Sequence, residues 1–187
     1  MSPANIKVLK MEIALMSFFD YRRNIIVPNV SWGILPSLHE CDLLILHPSG
    51  YATEVEIKTN KADIRRDKRK RHGHEHRYIR RLFFAVPEEL KDYALSEIPE
   101  RAGLVTVNKE GKCTIVRKAK ARKDAHRWTK EERIKLLHLA MMRLYDLKRG
   151  IECLSETVEF LRKELQEINP ERGERNARRL SSSCSYS

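Results

Sequence analysis

Apolar positions change their period several times along the chain, and each change marks an element. From Ala4 to Tyr21, Val8, Leu9, Leu15, Met16 and Phe19 recur at three- and four-residue spacings and predict a helix, with Glu12 inside the stripe. Asn24 to Val30 then predicts a strand, and Pro28 makes it an edge or bulged one. The run Leu43-Leu44-Ile45-Leu46 is continuously apolar, as in a strand covered on both faces, and Glu54-Val55-Glu56-Ile57-Lys58 alternates. Between them, Pro48-Ser49-Gly50 suits a three-residue hairpin loop, with Pro at the first turn position and Gly at the left-handed last one.

That loop sets a register in which Asp42 faces Glu56, with Cβ atoms about 4.5–5.5 Å apart. Strand alternation brings Lys58 out on the same face as Glu56. Like charges directly opposite on a sheet are destabilising, so a buried acidic pair beside an ammonium calls for a cation or a function. Glu40 and Glu54 share this parity. They form either a second ligand set or exposed acids near the strand start and the hairpin turn.

Further along, Asn60 caps a predicted helix over Lys61 to Arg71, and Leu82 to Val86 is a short buried strand. Pro87-Glu88-Glu89 opens another helix that ends before Pro99. Gly103–Asn108 and Cys113–Val116 make a second hairpin around Glu110-Gly111. The order of elements predicts an α/β fold, a mixed sheet flanked by helices.

From Thr129 the pattern becomes a heptad. Thr129 and Glu132 make a capping box, and Leu137, Ala140, Leu144, Leu147, Ile151, Leu154, Val158, Leu161, Leu165 and Ile168 then follow in steps of three and four. The stripe spans roughly 48 Å of helix and keeps its phase across Gly150, which predicts one continuous helix and a parallel homodimer. Internal packing against the domain is the competing use of the same stripe. The expected organisation is a domain over 1–118, a basic linker over 119–130, the long helix over 131–168 and a disordered tail over 169–187.

Charge sharpens the functional reading. Of a formal net charge of +11, residues 58–81 supply eleven basic against three acidic side chains, and residues 117–130 seven against one. The first block follows Lys58 directly, so Lys61, Arg65, Arg66, Lys68, Arg69, Lys70, Arg71 and Arg77 are expected to track a phosphate backbone. Cys41, Cys113, Cys153 and Cys184 show no Cys-x-x-Cys spacing, and no membrane-length apolar segment occurs, as expected of a reduced, cytoplasmic protein. His72, His74 and His76 with Cys41 invite a zinc assignment, but the tight His-x-His-x-His spacing is unlike structural zinc patterns and predicts a solvated loop.

Asp42 with Glu56-Ile57-Lys58 resembles the Asp…(Asp/Glu)-x-Lys signature of the PD-(D/E)XK nuclease superfamily, which has the restriction-endonuclease-like fold. Residues 54–67, followed by Arg81-Leu-Phe-Phe-Ala-Val-Pro87, resemble the MmcB-like DNA-repair proteins and related phage-borne proteins; the likeness covers about residues 1–118. Cys41 stands where the superfamily name has Pro, and the His-rich insert is not a family feature. The resemblance implies a Mg²⁺- or Mn²⁺-dependent DNA endonuclease in repair, recombination or phage DNA processing. It implies metal ligation by Asp42 and Glu56 with an acid on the first helix, Glu12, and a catalytic Lys58. The rival expectation is an inactive DNA-binding or repair accessory module that keeps the fold and dimerises through its last helix.

Overall fold

The computed structural model describes residues 3–30, 34–35, 38–67 and 76–168. The described residues up to Met141 form one compact unit and those from Met142 a second. In the first, six strands form a single mixed sheet in sequential order: β1 (Ile25–Val30), β2 (Cys41–Leu46), β3 (Ala52–Ile57), β4 (Ile79–Pro87), β5 (Gly103–Val107) and β6 (Cys113–Arg117). The pairs β1–β2, β2–β3 and β5–β6 are antiparallel, whereas β3–β4 and β4–β5 are parallel. Each parallel step needs a crossover, and α2 (Lys61–Asp67) and α3 (Lys91–Glu97) lie within them. The expected α/β architecture is present.

The central strands β2 to β5 are buried on both faces, as the apolar runs in β2 and β4 require. On one face α1 (Pro3–Phe18) packs Met11 and Leu15 on Leu43, Ile45, Val55, Ile57, Phe83 and Val105. On the other, Ile64 of α2 and Ala94 of α3 cover Leu82, Phe84, Val86 and Leu104. Beside them Trp128 and the first turns of α4 (Lys130–Ile168) cover Leu44, Leu46, Ala52 and Ile79. The segment expected to be a basic linker therefore carries a core residue: Trp128 is 2 % exposed, and its Nε1–H donates to Tyr78 O at 3.0 Å.

Several boundaries differ from the sequence reading for identifiable reasons. The first helix stops at Phe18 because the chain turns through a left-handed Asp20 (φ 56°). Leu9 is exposed, since Met11 and Leu15, one turn apart, set the inward stripe. The fourth strand extends back to Ile79, where buried Tyr78 and Ile79 precede the charged Arg80-Arg81 that hid the pattern. Pro87 ends that strand and leads into a 3₁₀ turn, Glu88–Leu90, before α3. Asn60 does cap α2, accepting Asp63 N–H at 2.9 Å; residues 68–71 of the predicted helix lie outside the described residues, as does the tail from 169.

Capping of α4 is also as expected: Thr129 N–H donates to Glu132 at 2.7 Å and Glu132 N–H to Thr129 Oγ1 at 3.3 Å. Leu136 and Leu139 face the sheet, one position away from the heptad seam. Leu144, Leu147, Ile151, Leu154, Val158, Leu161 and Leu165 are instead 43 to 66 % exposed. Among the described residues no helix is long and apolar enough to cross a membrane.

Candidate active site

The hairpin loop closes through Gly50 N–H to His47 O (2.8 Å) and His47 N–H to Tyr51 O (3.0 Å), with Gly50 at φ +84°. Only a residue without Cβ is at ease there; an added Cβ would also lie 2.9 Å from the Arg127 side chain. Leu43↔Val55 and Leu44↔Glu54 continue this register, so Asp42 and Glu56 come opposite one another as the loop geometry dictated. Across β1, the pairs Pro28↔Leu43 and Val30↔Cys41 place Asn29 on the other side of Asp42. Asn29, Asp42 and Glu56 thus form a row across three strands.

Strand alternation breaks at this row. Val27 and Val30 enter the same cluster although three residues apart, and Asn29 between them has a left-handed backbone (φ 50°) that Asn tolerates better than most residues. Glu12, half-buried on α1, is brought to the row through a hydrogen bond with the Asn29 side chain. Asn29 was not anticipated from the sequence; the signal was a Pro-Asn pair inside an edge strand.

The electrostatics are those of concentrated negative charge. Burial, then the charge of Asp42, pushes the Glu12 carboxyl above the ordinary carboxylate range, with the Asn29 hydrogen bond opposing. Burial, then Asp42, does the same to Glu56, which is 1 % exposed; Lys58 pulls it back and Glu54 adds to the rise. Lys58 Nζ lies 2.5 Å from Glu56 Oε2 and 3.9 Å from Asp42 Oδ2. Its backbone N–H donates to Ala85 O of β4 at 2.9 Å, and Ile57 N–H donates to Asp42 Oδ2 at 2.8 Å, so the lysine and the aspartate are both held by the strand frame. One ammonium is shared by two carboxylates, and Glu12 meets the group on the Asp42 side.

By donor chemistry the acids suit a hard divalent ion, with oxygen in excess of the available positive charge and two carboxyls raised by burial and by Asp42, but the ligand atoms of Glu12, Asp42 and Glu56 do not all lie within 4.8 Å of one another. The same imbalance costs stability. A carboxyl raised above its unfolded value binds more protons in the native state, so stability falls as pH rises from the ordinary carboxylate range through the raised value. Glu12→Gln, which keeps a partner for Asn29, is therefore expected to raise the metal-free melting temperature at neutral pH, by about 1–2 °C given the partial exposure of the site. The gain should vanish near pH 4, and thermal denaturation across pH 4–8 measures both. A neutral-pH melting point at or below that of the parent would show that Glu12 is not held against repulsion.

Of the remaining expected residues, Lys61, Arg65 and Arg66 are exposed on α2, which starts three residues after Lys58. Lys61 Nζ sits 5.2 Å from the Tyr93 ring centroid, and Arg65 Nε donates to Tyr93 Oη at 2.9 Å. Lys68, Arg69, Lys70 and Arg71 lie outside the described residues. Arg77 is exposed, but it precedes β4, whose start lies beside Ala52, at the opposite end of β3 from Ile57. Five strand residues, roughly 16 Å, separate it from the carboxylates. Glu40 is exposed at the strand entry, whereas Glu54 is fully buried and bonded to His39, away from the row. A cavity of about 590 Å³ between α1 and the β5–β6 hairpin is lined by none of Glu12, Asp42, Glu56 and Lys58.

A family model described as DNA repair protein MmcB-like matches residues 6–150. The chain belongs to the MmcB-like family. The match runs through every strand of the sheet and into α4, so the family unit includes Trp128 and the turns that pack on the core. Membership in this family points to a role in DNA repair, with DNA as the partner. Among solved structures, the SPO1766 protein of unknown function from Silicibacter pomeroyi is similar at 20 % identity and a TM-score of 0.52, over 76 % of this chain and 87 % of that one. At this identity the likeness concerns the fold. No curated protein matches the chain.

Proposed function

We propose that this MmcB-like chain is a metal-dependent DNA endonuclease of the PD-(D/E)XK type, with the restriction-endonuclease-like arrangement of its sheet. The observation that carries the proposal is the convergence of Asp42, Glu56 and Lys58 at adjoining strand ends, joined by Glu12 from α1. Asp42 and Glu56 would hold Mg²⁺ or Mn²⁺, with Glu12 on the ion or its water, and the ion would supply Lewis acidity and a more acidic water. Lys58, its backbone N–H held by Ala85 of β4 and its ammonium by Glu56, orients the attacking water and offsets charge growing on the phosphoryl oxygens. Lys61, Arg65 and Arg66 hold the incoming phosphate backbone without reading sequence.

Incubation with plasmid, branched and single-stranded DNA, with and without Mg²⁺ or Mn²⁺, tests this reading. Cleavage should require the ion and disappear in Lys58→Ala. Salt-sensitive DNA binding without cleavage of any substrate would leave an accessory module in place of an enzyme.

The exposed seam of α4 supports a homodimer. A stripe of seven large apolar residues in heptad phase is self-complementary, and Gly150, whose added Cβ would touch nothing within 4 Å, does not interrupt it. Replacing both Leu147 and Leu154 by Glu in the full chain is expected to halve the mass seen in sedimentation equilibrium. A mass unchanged by the double substitution would exclude the seam from assembly.

A further inference from the structure

Beyond the acidic row, the face of the sheet that receives Trp128 holds a second constellation for which the nuclease reading has no use. The chain enters β2 through buried Leu38 and His39, and Cys41 opens the strand at 2 % exposure. Glu54, opposite Leu44 on β3, is 0 % exposed, and its Oε1 lies 2.7 Å from His39 Nε2. Cys41 Sγ is 3.6 Å from His39 O. One donor atom from each of His39, Cys41 and Glu54 lies within 4.8 Å of the other two.

A buried hydrogen bond between His39 and Glu54 is the plain explanation, and it accounts for two of the three groups. It leaves a thiol converging on the same point, and beyond it a second imidazole: the His76 ring centroid is 6.4 Å from that of His39. His76 is held there, stacked on Tyr78 at 5.1 Å with Nδ1 accepting Tyr78 N–H at 3.4 Å. His76 ends the His-x-His-x-His run, so the solvated-loop expectation fails for the one member among the described residues, which is half-buried against the core. His72 and His74 lie outside the described residues.

We infer that His39, Cys41 and Glu54 form a binding site for a thiophilic divalent cation of the zinc class, with His76 adjoining it. Nitrogen, sulfur and oxygen donors together suit zinc and disfavour magnesium, which takes oxygen alone. Charge balance points the same way. A neutral imidazole, a thiolate and a carboxylate carry two negative charges, so a dication makes the group neutral among Leu44, Leu46, Ala52 and Trp128. Binding breaks the S–H bond of Cys41 and forms a metal–sulfur bond in its place, and the thiol proton passes to the buffer. The bound ion would tie the entry to β2 to the middle of β3, bracing the hairpin that carries Asp42 and Glu56. The inference does not rest on the nuclease reading.

Full-length protein stripped with a chelator, then titrated with Co²⁺ and Zn²⁺, tests it. A single equivalent of Co²⁺ should give intense visible bands of a tetrahedral ion and a near-ultraviolet thiolate-to-cobalt charge-transfer band. Zn²⁺ should bleach both, and zinc added to the stripped protein should release at least the Cys41 thiol proton to an indicator in weak buffer. In Cys41→Ser the charge-transfer band should vanish, and zinc affinity should fall by more than the roughly 10- to 100-fold that loss of an outer partner of a metal ligand costs. Asp42→Asn should retain both, separating this site from the acidic row. No stoichiometric cobalt spectrum, a charge-transfer band that survives Cys41→Ser, or one lost in Asp42→Asn would overturn the inference. Should Cys41→Ser fail to fold, alkylation of the parent protein decides: zinc must shield Cys41 from iodoacetamide, and unshielded labelling overturns the site.

Discussion

Asp42→Asn is expected to abolish metal-dependent DNA cleavage, by a factor on the order of 10³ or more, in a protein that stays folded. The Asp42 side chain is 41 % exposed, and its structural duty is to accept the Ile57 N–H, which an asparagine carbonyl performs equally well. What the substitution removes is one negative charge from the row. The Glu12 and Glu56 carboxyls, both raised in part by Asp42, should then return toward the ordinary range. Lys58→Ala is a less clean probe, because it strips the 2.5 Å partner from the buried Glu56, and breaking a buried pair on one side costs about 3–5 kcal/mol. Cleavage rates on a nicked or branched substrate in Mn²⁺, with circular dichroism as the control for folding, settle the point. Undiminished cleavage would remove Asp42 from the chemistry.

Local chemistry made the hairpin legible. Pro48-Ser49-Gly50 fixed its register in advance because a short loop with one left-handed glycine leaves the strands no freedom to slip, and the Asp42–Glu56 opposition followed. Capping of α2 by Asn60 and of α4 by Thr129 and Glu132 was legible for the same reason, as each involves residues three apart. Features that depend on tertiary packing were not. The Pro28-Asn29 pair marked an irregular edge strand, but not that a left-handed kink would set Asn29 beside Asp42. Glu54 read equally as part of a second ligand set or as an exposed acid near a turn, since strand parity says which face a side chain takes but not how deep that face lies. His39, fifteen residues away in sequence, partners it only because β2 and β3 fold together. The basic stretch before α4 read as a linker, and its charge count concealed a tryptophan.

That tryptophan should carry the largest single share of stability attributable to the C-terminal part of the compact unit. Trp128 docks among Leu46, Ala52, Tyr78, Ile79, Leu136 and Leu139, meeting Tyr78 edge-on with ring centroids 6.0 Å apart. Its backbone N–H donates to Gly50 O at 2.8 Å and its indole N–H to Tyr78 O, so it pins the hairpin loop and the start of β4 to the first turn of α4. Trp128→Ala leaves a cavity of indole size and an unpaired Tyr78 carbonyl, a loss of about 3–5 kcal/mol. For a chain of this length that lowers the melting temperature by roughly 6–20 °C. Trp128→Phe restores most of the volume but not the indole hydrogen bond, and should recover more than half of the loss. If instead Trp128→Ala melts within a degree or two of the parent, residues 119–130 behave as the linker their composition suggested, and the start of α4 contributes nothing to holding the sheet.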